Sequence, residues 1–157
     1  MKAAIAKINH SLVSLRIWGD ELIPQEITTM LGVSPSETKT KGNEVVRGNT
    51  GEVIVNPKTG KARIAKFGLW LLRVERREPE DIDGQIREIF SKVSADIAVW
   101  QSITKKYRAN LSCGLFMGET NDGMTISTES LAILAERGIE LWFDIYAPIS
   151  DDNETNT

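Results

Sequence analysis

The stretch Ser127–Tyr146, STESLAILAERGIELWFDIY, decides the fold. Ser127 stands just ahead of Leu131, Leu134 and Ala135, which recur at helical spacing, and Gly138 follows them. Serine in front and glycine behind are helix start and stop signals. Strict alternation comes next: Ile139, Leu141, Phe143 and Ile145 face one way, and Glu140, Trp142, Asp144 and Tyr146 face the other. That is the period of a half-buried strand. The second face mixes two aromatics with two carboxylates. A plain solvent face rarely carries large rings, so this is the leading candidate for a working surface.

Working outward, Asn110–Met117 reads as another strand, with Leu111, Cys113, Leu115 and Met117 on one side and Ser112, Gly114 and Phe116 on the other. Glu78–Val93 reads as a helix carrying Ile82, Ile86, Ile89, Phe90 and Val93, and Ser94 is placed to cap a second helix with Ile97, Trp100 and Ile103. Toward the N-terminus, Leu12–Trp18 alternates as a strand, with Arg16 and Trp18 on one face. A short helix follows, with Pro24 at its first position, Gly32 after its end and Ile23 placed to staple onto Ile27. Residues 34–66 form an insertion. It is a loop to Gly51 and then a hairpin, Glu52–Asn56 and Lys61–Lys66, around Asn56-Pro57-Lys58-Thr59-Gly60. The hairpin leads into a central strand within Phe67–Glu75. Strand, helix, glycine and strand recur near both ends, which suggests two β-α-β halves. The expected fold is therefore an α+β, ferredoxin-like sandwich. Its sheet is mainly antiparallel, with about four core strands, helices on one face and an inserted β-hairpin. One domain spans 1–148, and the polar residues 149–157 read as a disordered acidic tail.

The segments SLRIWGDELIPQEITTMLGVSP, KTKG, FGLWLL and ISTESLAILAERGIELWFDIY resemble a bacterial family known as domain of unknown function 4279, over roughly Val13 to Pro148. The resemblance implies the α+β fold and a bacterial, cytoplasmic setting. It supplies no catalytic residues.

Composition narrows the function further. A formal net charge of −3 and a pI of about 5.3 disfavour a general nucleic-acid binder, whose affinity rests on Lys and Arg. The single cysteine, Cys113, excludes an internal disulfide and suits a reducing cytosol. No apolar run is long enough to cross a bilayer, and Lys7, Asn9 and His10 break the N-terminal stretch before it becomes a signal peptide.

The chemistry-bearing residues are few. His10 and Cys113 are the only His and Cys, too few for an ordinary zinc site, so no metal or other cofactor is expected. Cys113 alternates with buried leucines and reads as an inert core thiol. Asp20, Glu21 and Asp144 would serve as paired acids only if the fold brought them together. The loop TKTKGNEVVRGNTG, Thr38–Gly51, offers Lys39, Lys41 and Arg47 to an anion or a partner, but it lacks the P-loop and Gly-x-Gly-x-x-Gly patterns and otherwise reads as a mobile solvated loop. The sharpest set is the open sheet face, gathering Arg16, Trp18, Phe116, Trp142, Asp144 and Tyr146, with Trp70 joining if its strand is phased that way. The plain alternative pairs Arg16 with Asp144 and packs the aromatics beneath the long loop. With no recognisable catalytic set, the leading expectation is a non-enzymatic protein-binding module, in its most concrete form an immunity or inhibitor protein that neutralises a toxin. The alternative is a sensing domain holding a flat or anionic small molecule between the open face and the Lys-rich loop. As to self-association, the chain reads as a monomer or a weak homodimer paired through the edge hairpin, whose lysines protect that edge.

Overall fold

His10–Gly19 (β1) is the spine of the sheet in the computed structural model, which describes residues 8–149. Its odd positions Val13, Leu15 and Ile17 are fully buried, while its even positions are half-buried. The chain continues through Pro24–Leu31 (α1), Glu37–Lys39 (β2), Gly68–Arg73 (β3), Ile82–Lys92 (α2), Ile97–Lys106 (α3), Arg108–Phe116 (β4), Thr128–Glu136 (α4) and Glu140–Tyr146 (β5). The strand order is β2-β3-β1-β4-β5, antiparallel throughout except for the parallel pair β4–β5.

The expectation of a ferredoxin-like sandwich is met at the level of class only. The protein is α+β, but its five-stranded sheet is mixed. Only β4-α4-β5 is a parallel crossover. β1 and β3 are antiparallel neighbours, so the N-terminal segment is not a matching β-α-β half.

All four helices lie over the odd face of β1. Their apolar stripes, including Ile27, Leu31, Ile86, Ile89, Trp100, Ile103 and Leu134, meet Leu15, Ile17, Trp70, Leu72, Leu111 and Cys113 in one core. Buried polar groups fix the helix register. Gln85 donates to the backbone carbonyls of Ser11 (3.1 Å) and Glu75 (2.9 Å) and accepts from the Ser11 hydroxyl (2.6 Å). Because these groups pair with one another, their hydrogen bonds offset the cost of burial, and the network ties α2 to β1.

Helix ends follow the sequence signals, with two shifts. Ser127 caps α4 as expected. Asp96, rather than Ser94, caps α3 by accepting from the Ala98 N–H. Ile23 is the N-cap residue of α1 and is half-exposed, so the staple position preceding it falls to the buried Leu22.

The insertion is more than the expected hairpin: its two arms do pair antiparallel around Asn56–Gly60, and a third segment joins them. Three extended segments, 44–46, 53–55 and 62–64, close into a triangle, each bridged at its two ends to the other two. At the centre Val45 N–H donates to Arg63 O, Arg63 N–H to Ile54 O and Ile54 N–H to Val45 O, each at 2.8 Å. At the corners Arg47, Asn56 and Ala65 repeat one pattern. Each donates to a carbonyl (Glu52, Lys61 and Asn43) and accepts from the N–H of a glycine (Gly51, Gly60 and Gly42). Those glycines recur every nine residues and all have left-handed φ, +87°, +70° and +67° in chain order. The unit therefore has an internal three-fold repeat.

Candidate binding site

The even face of β1 carries no helix, and the register lays it out in rows. Trp18 is level with Leu69 and Lys39 on one side and Arg108 on the other. Arg16 is level with Leu71 and Glu37, and with Asn110 and Glu140. Further along lie Ser14, Ser112 and Trp142, then Leu12, Gly114 and Asp144, and last His10, Phe116 and Tyr146. All six residues expected on this face are there: Arg16, Trp18, Phe116, Trp142, Asp144 and Tyr146.

They do not form one site. Eight residues of β1 separate the first row from the last, roughly 26 Å at strand rise. At the far end His10 stacks on Phe116 (centroids 4.1 Å apart) and Phe116 on Tyr146 (4.5 Å). The Tyr146 hydroxyl donates to Asp144 Oδ2 at 2.6 Å. That hydrogen bond and the carboxylate's charge raise the Tyr146 pKa above its ordinary value. Arg16 is therefore not paired with Asp144. Its Nε donates to Asn110 Oδ1 at 2.9 Å.

At the near end, Arg16 and Arg108 flank the Trp18 ring, their guanidinium carbons 5.8 and 5.4 Å from its centroid. A cavity of about 300 Å³ opens here between β1 and β2, floored by Leu69 and Leu71 and walled by Arg16, Trp18, Lys39 and Phe67. Burial lowers the Arg16 pKa.

The remaining candidates are dispersed. Lys39 is in β2, ion-paired with Glu37 at 3.5 Å, and joins the Arg16–Trp18 cavity. Lys41 instead binds Asp20 at 2.8 Å, a hydrogen bond and charge pair that raise its pKa. Arg47 sits on the triangle beside Glu52. Thr38–Gly51 is thus part strand and part triangle rather than an irregular loop, and it is exposed except at Lys39 and Val45. Asp20, at the turn after β1, and Asp144, level with Leu12, lie near opposite ends of the sheet, too far apart to act as an acid pair. Trp70 is fully buried on the helix side, donating to Thr28 Oγ1, and does not join the open face.

Two features escaped the sequence reading. His10 belongs to the aromatic stack. The strand β5 also overhangs the helix layer. Ile139 is buried and Leu141 partly so, but Phe143 is 38% exposed and Ile145 60%, although both were expected in the core. On the other side of the strand Trp142 is 54% exposed and Tyr146 45%. Among the described residues β5 has no strand on its outer side, and no helix is long and apolar enough to cross a membrane.

No curated protein and no solved structure matches the chain. The family model of the domain of unknown function DUF4279 matches residues 6–148, nearly the whole length, and the chain belongs to that family.

Proposed function

We propose that this member of the DUF4279 family is a non-enzymatic protein-binding module that engages its partner along β5. One observation carries the reading: the two edges of the same sheet are built in opposite ways. The edge at β2 is three residues long, Glu-Thr-Lys, two of them charged. Short, charged edges discourage strand pairing. The edge at β5 is seven residues, ELWFDIY, without lysine or proline, and it exposes large apolar side chains on both faces. A long edge with exposed large apolar side chains is a hazard unless something covers it, and adding a strand to such an edge is a common mode of protein recognition.

Charge favours a basic partner. Residues 37–67 hold seven Lys and Arg against three Glu, a net +4, and the whole chain is −3, so the remainder carries −7. Glu140 and Asp144 on β5 belong to that remainder. Neutralising a basic toxin in the cytosol, as an immunity or inhibitor protein, is the concrete role that fits this charge and speeds association by steering.

Affinity capture from the native host tests the reading. The wild type should retain a stoichiometric protein that Ile145→Lys and Trp142→Ala lose while keeping the wild-type circular dichroism spectrum. Trp18→Ala, at the other end of the open face, should retain it. Equal retention by both β5 variants, or no stoichiometric partner for the wild type, would reject the proposal.

A further inference from the structure

The cavity between β1 and β2 is independent of β5, and its chemistry is specific. Its floor is apolar, Leu69 and Leu71, both of which are buried. One wall is Arg16 and Trp18. The opposite wall is Glu37 and Lys39, two strand spacings away, or about 10 Å between backbones. Phe67 closes one side.

Arg16 is the telling group. It is half-buried, and only its Nε is engaged, by the neutral Asn110. Among the described residues no carboxylate lies within ion-pair distance of it, whereas Glu37 is already held by Lys39 at 3.5 Å and Arg73 at 3.9 Å. A guanidinium withdrawn from water without an anion is unfavourable, and burial accordingly lowers its pKa. Its terminal nitrogens form a planar fork matched to a carboxylate. The neighbouring Trp18 ring and leucine floor suit a flat apolar body. Glu37 disfavours a second negative charge on the ligand. The volume, about 300 Å³, is at the small end of ligand pockets.

We infer that the β1–β2 cavity is a binding site for a small planar carboxylate monoanion, its carboxylate taken by the Arg16 fork with Lys39 adding charge, and its flat body lying on Leu69 and Leu71 beside Trp18.

The test uses the full chain with 2-naphthoate as probe, the neutral 2-naphthol and inorganic phosphate as comparators, calorimetry for affinity, and the indole N–H resonances for location. The wild type should bind 2-naphthoate with a shift of the Trp18 indole signal, and 2-naphthol and phosphate should bind at least about tenfold more weakly. Arg16→Gln should lose about tenfold or more in affinity, and Arg16→Lys should restore it only in part because the fork is gone. Should Arg16→Gln unfold, Lys39→Gln, on the exposed side, gives the same reading with a smaller loss. Ile145→Lys should bind 2-naphthoate as the wild type does, which separates this site from the β5 surface. Equal affinity for 2-naphthol and 2-naphthoate, unchanged affinity in the Arg16 and Lys39 variants, tighter binding of phosphate, or no binding of 2-naphthoate by about 5 mM would each overturn the assignment.

Discussion

Cys113 shows what a single position reveals. It is fully buried in β4, and burial pushes its thiol up to about 12. Since the thiolate is the reactive form, the folded protein should not react with an aromatic disulfide reagent at pH 8, and one thiol should appear once urea unfolds it. Absorbance of the released thiolate reads both; fast labelling of the native chain would contradict the burial argument. Alternation with Leu111 and Leu115 made this placement legible beforehand. Trp70 was not legible for a related reason. The run GLWLL in β3 is apolar at consecutive positions because Trp70 and Leu72 pack under the helices while Leu69 and Leu71 floor the cavity on the other face, so it carries no parity. His10 was missed because β1 begins two residues earlier than its apolar pattern, and strand ends are the least determined part of such a reading.

At the scale of elements, local signals were reliable and long-range ones were absent. Ser127 as the cap of α4 was plain from its neighbours. The group that holds it is 44 residues away: Asp83 accepts from the Ser127 N–H (3.0 Å), the Ser127 hydroxyl (3.1 Å) and the Ser130 hydroxyl (2.6 Å). Burial alone would raise the Asp83 carboxyl, but these hydrogen bonds outweigh it and keep its pKa below the ordinary value. A carboxylate at the start of a helix also complements the helix dipole. Asp83→Asn should therefore cost about 1–2 kcal/mol, or a few degrees in Tm. The folded pKa is depressed, so the carboxylate's contribution is complete above its unfolded value and fades as pH falls through the folded one. The Tm gap between wild type and variant should accordingly hold from pH 7 to about 5 and narrow below about pH 4. A gap that is absent, or constant down to pH 2, would contradict the assignment. In β5, alternation fixed which way each side chain points, but not how far the helix layer reaches. Phe143 and Ile145 point to the helix side and still meet solvent.

For the molecule as a whole, the triangle is an appendage of the sheet, with Gly48 set closely against the backbone of Ser36 and Glu37. The chain enters and leaves the triangle side by side, where Ala65 N–H donates to Asn43 O and Gly42 N–H to Ala65 O, both at 2.9 Å. Replacing residues 44–64 by a two-residue Asn-Gly turn should preserve cooperative unfolding, at a cost of about 1–3 kcal/mol for the lost burial of Val45. Differential scanning calorimetry decides this; a variant without a sharp transition would make the triangle part of the core. The nine-residue spacing of Gly42, Gly51 and Gly60 was visible in the sequence, but the hairpin reading used only Gly60, in its turn, and left Gly42 and Gly51 to the loop before it. Strand order was less legible, because alternation along a strand says nothing about its neighbours. That order has a consequence for how the protein is made. β1 lies in the middle of the sheet, between β3 and β4, and its pairing with β4 runs from Trp18–Arg108 to His10–Phe116. The ribosome therefore delivers the central strand about a hundred residues before the last of its flanks, a delay of roughly 5–20 s at ordinary elongation rates. Through that interval one edge of β1 stands without its partner strand on the nascent chain, a natural foothold for a chaperone.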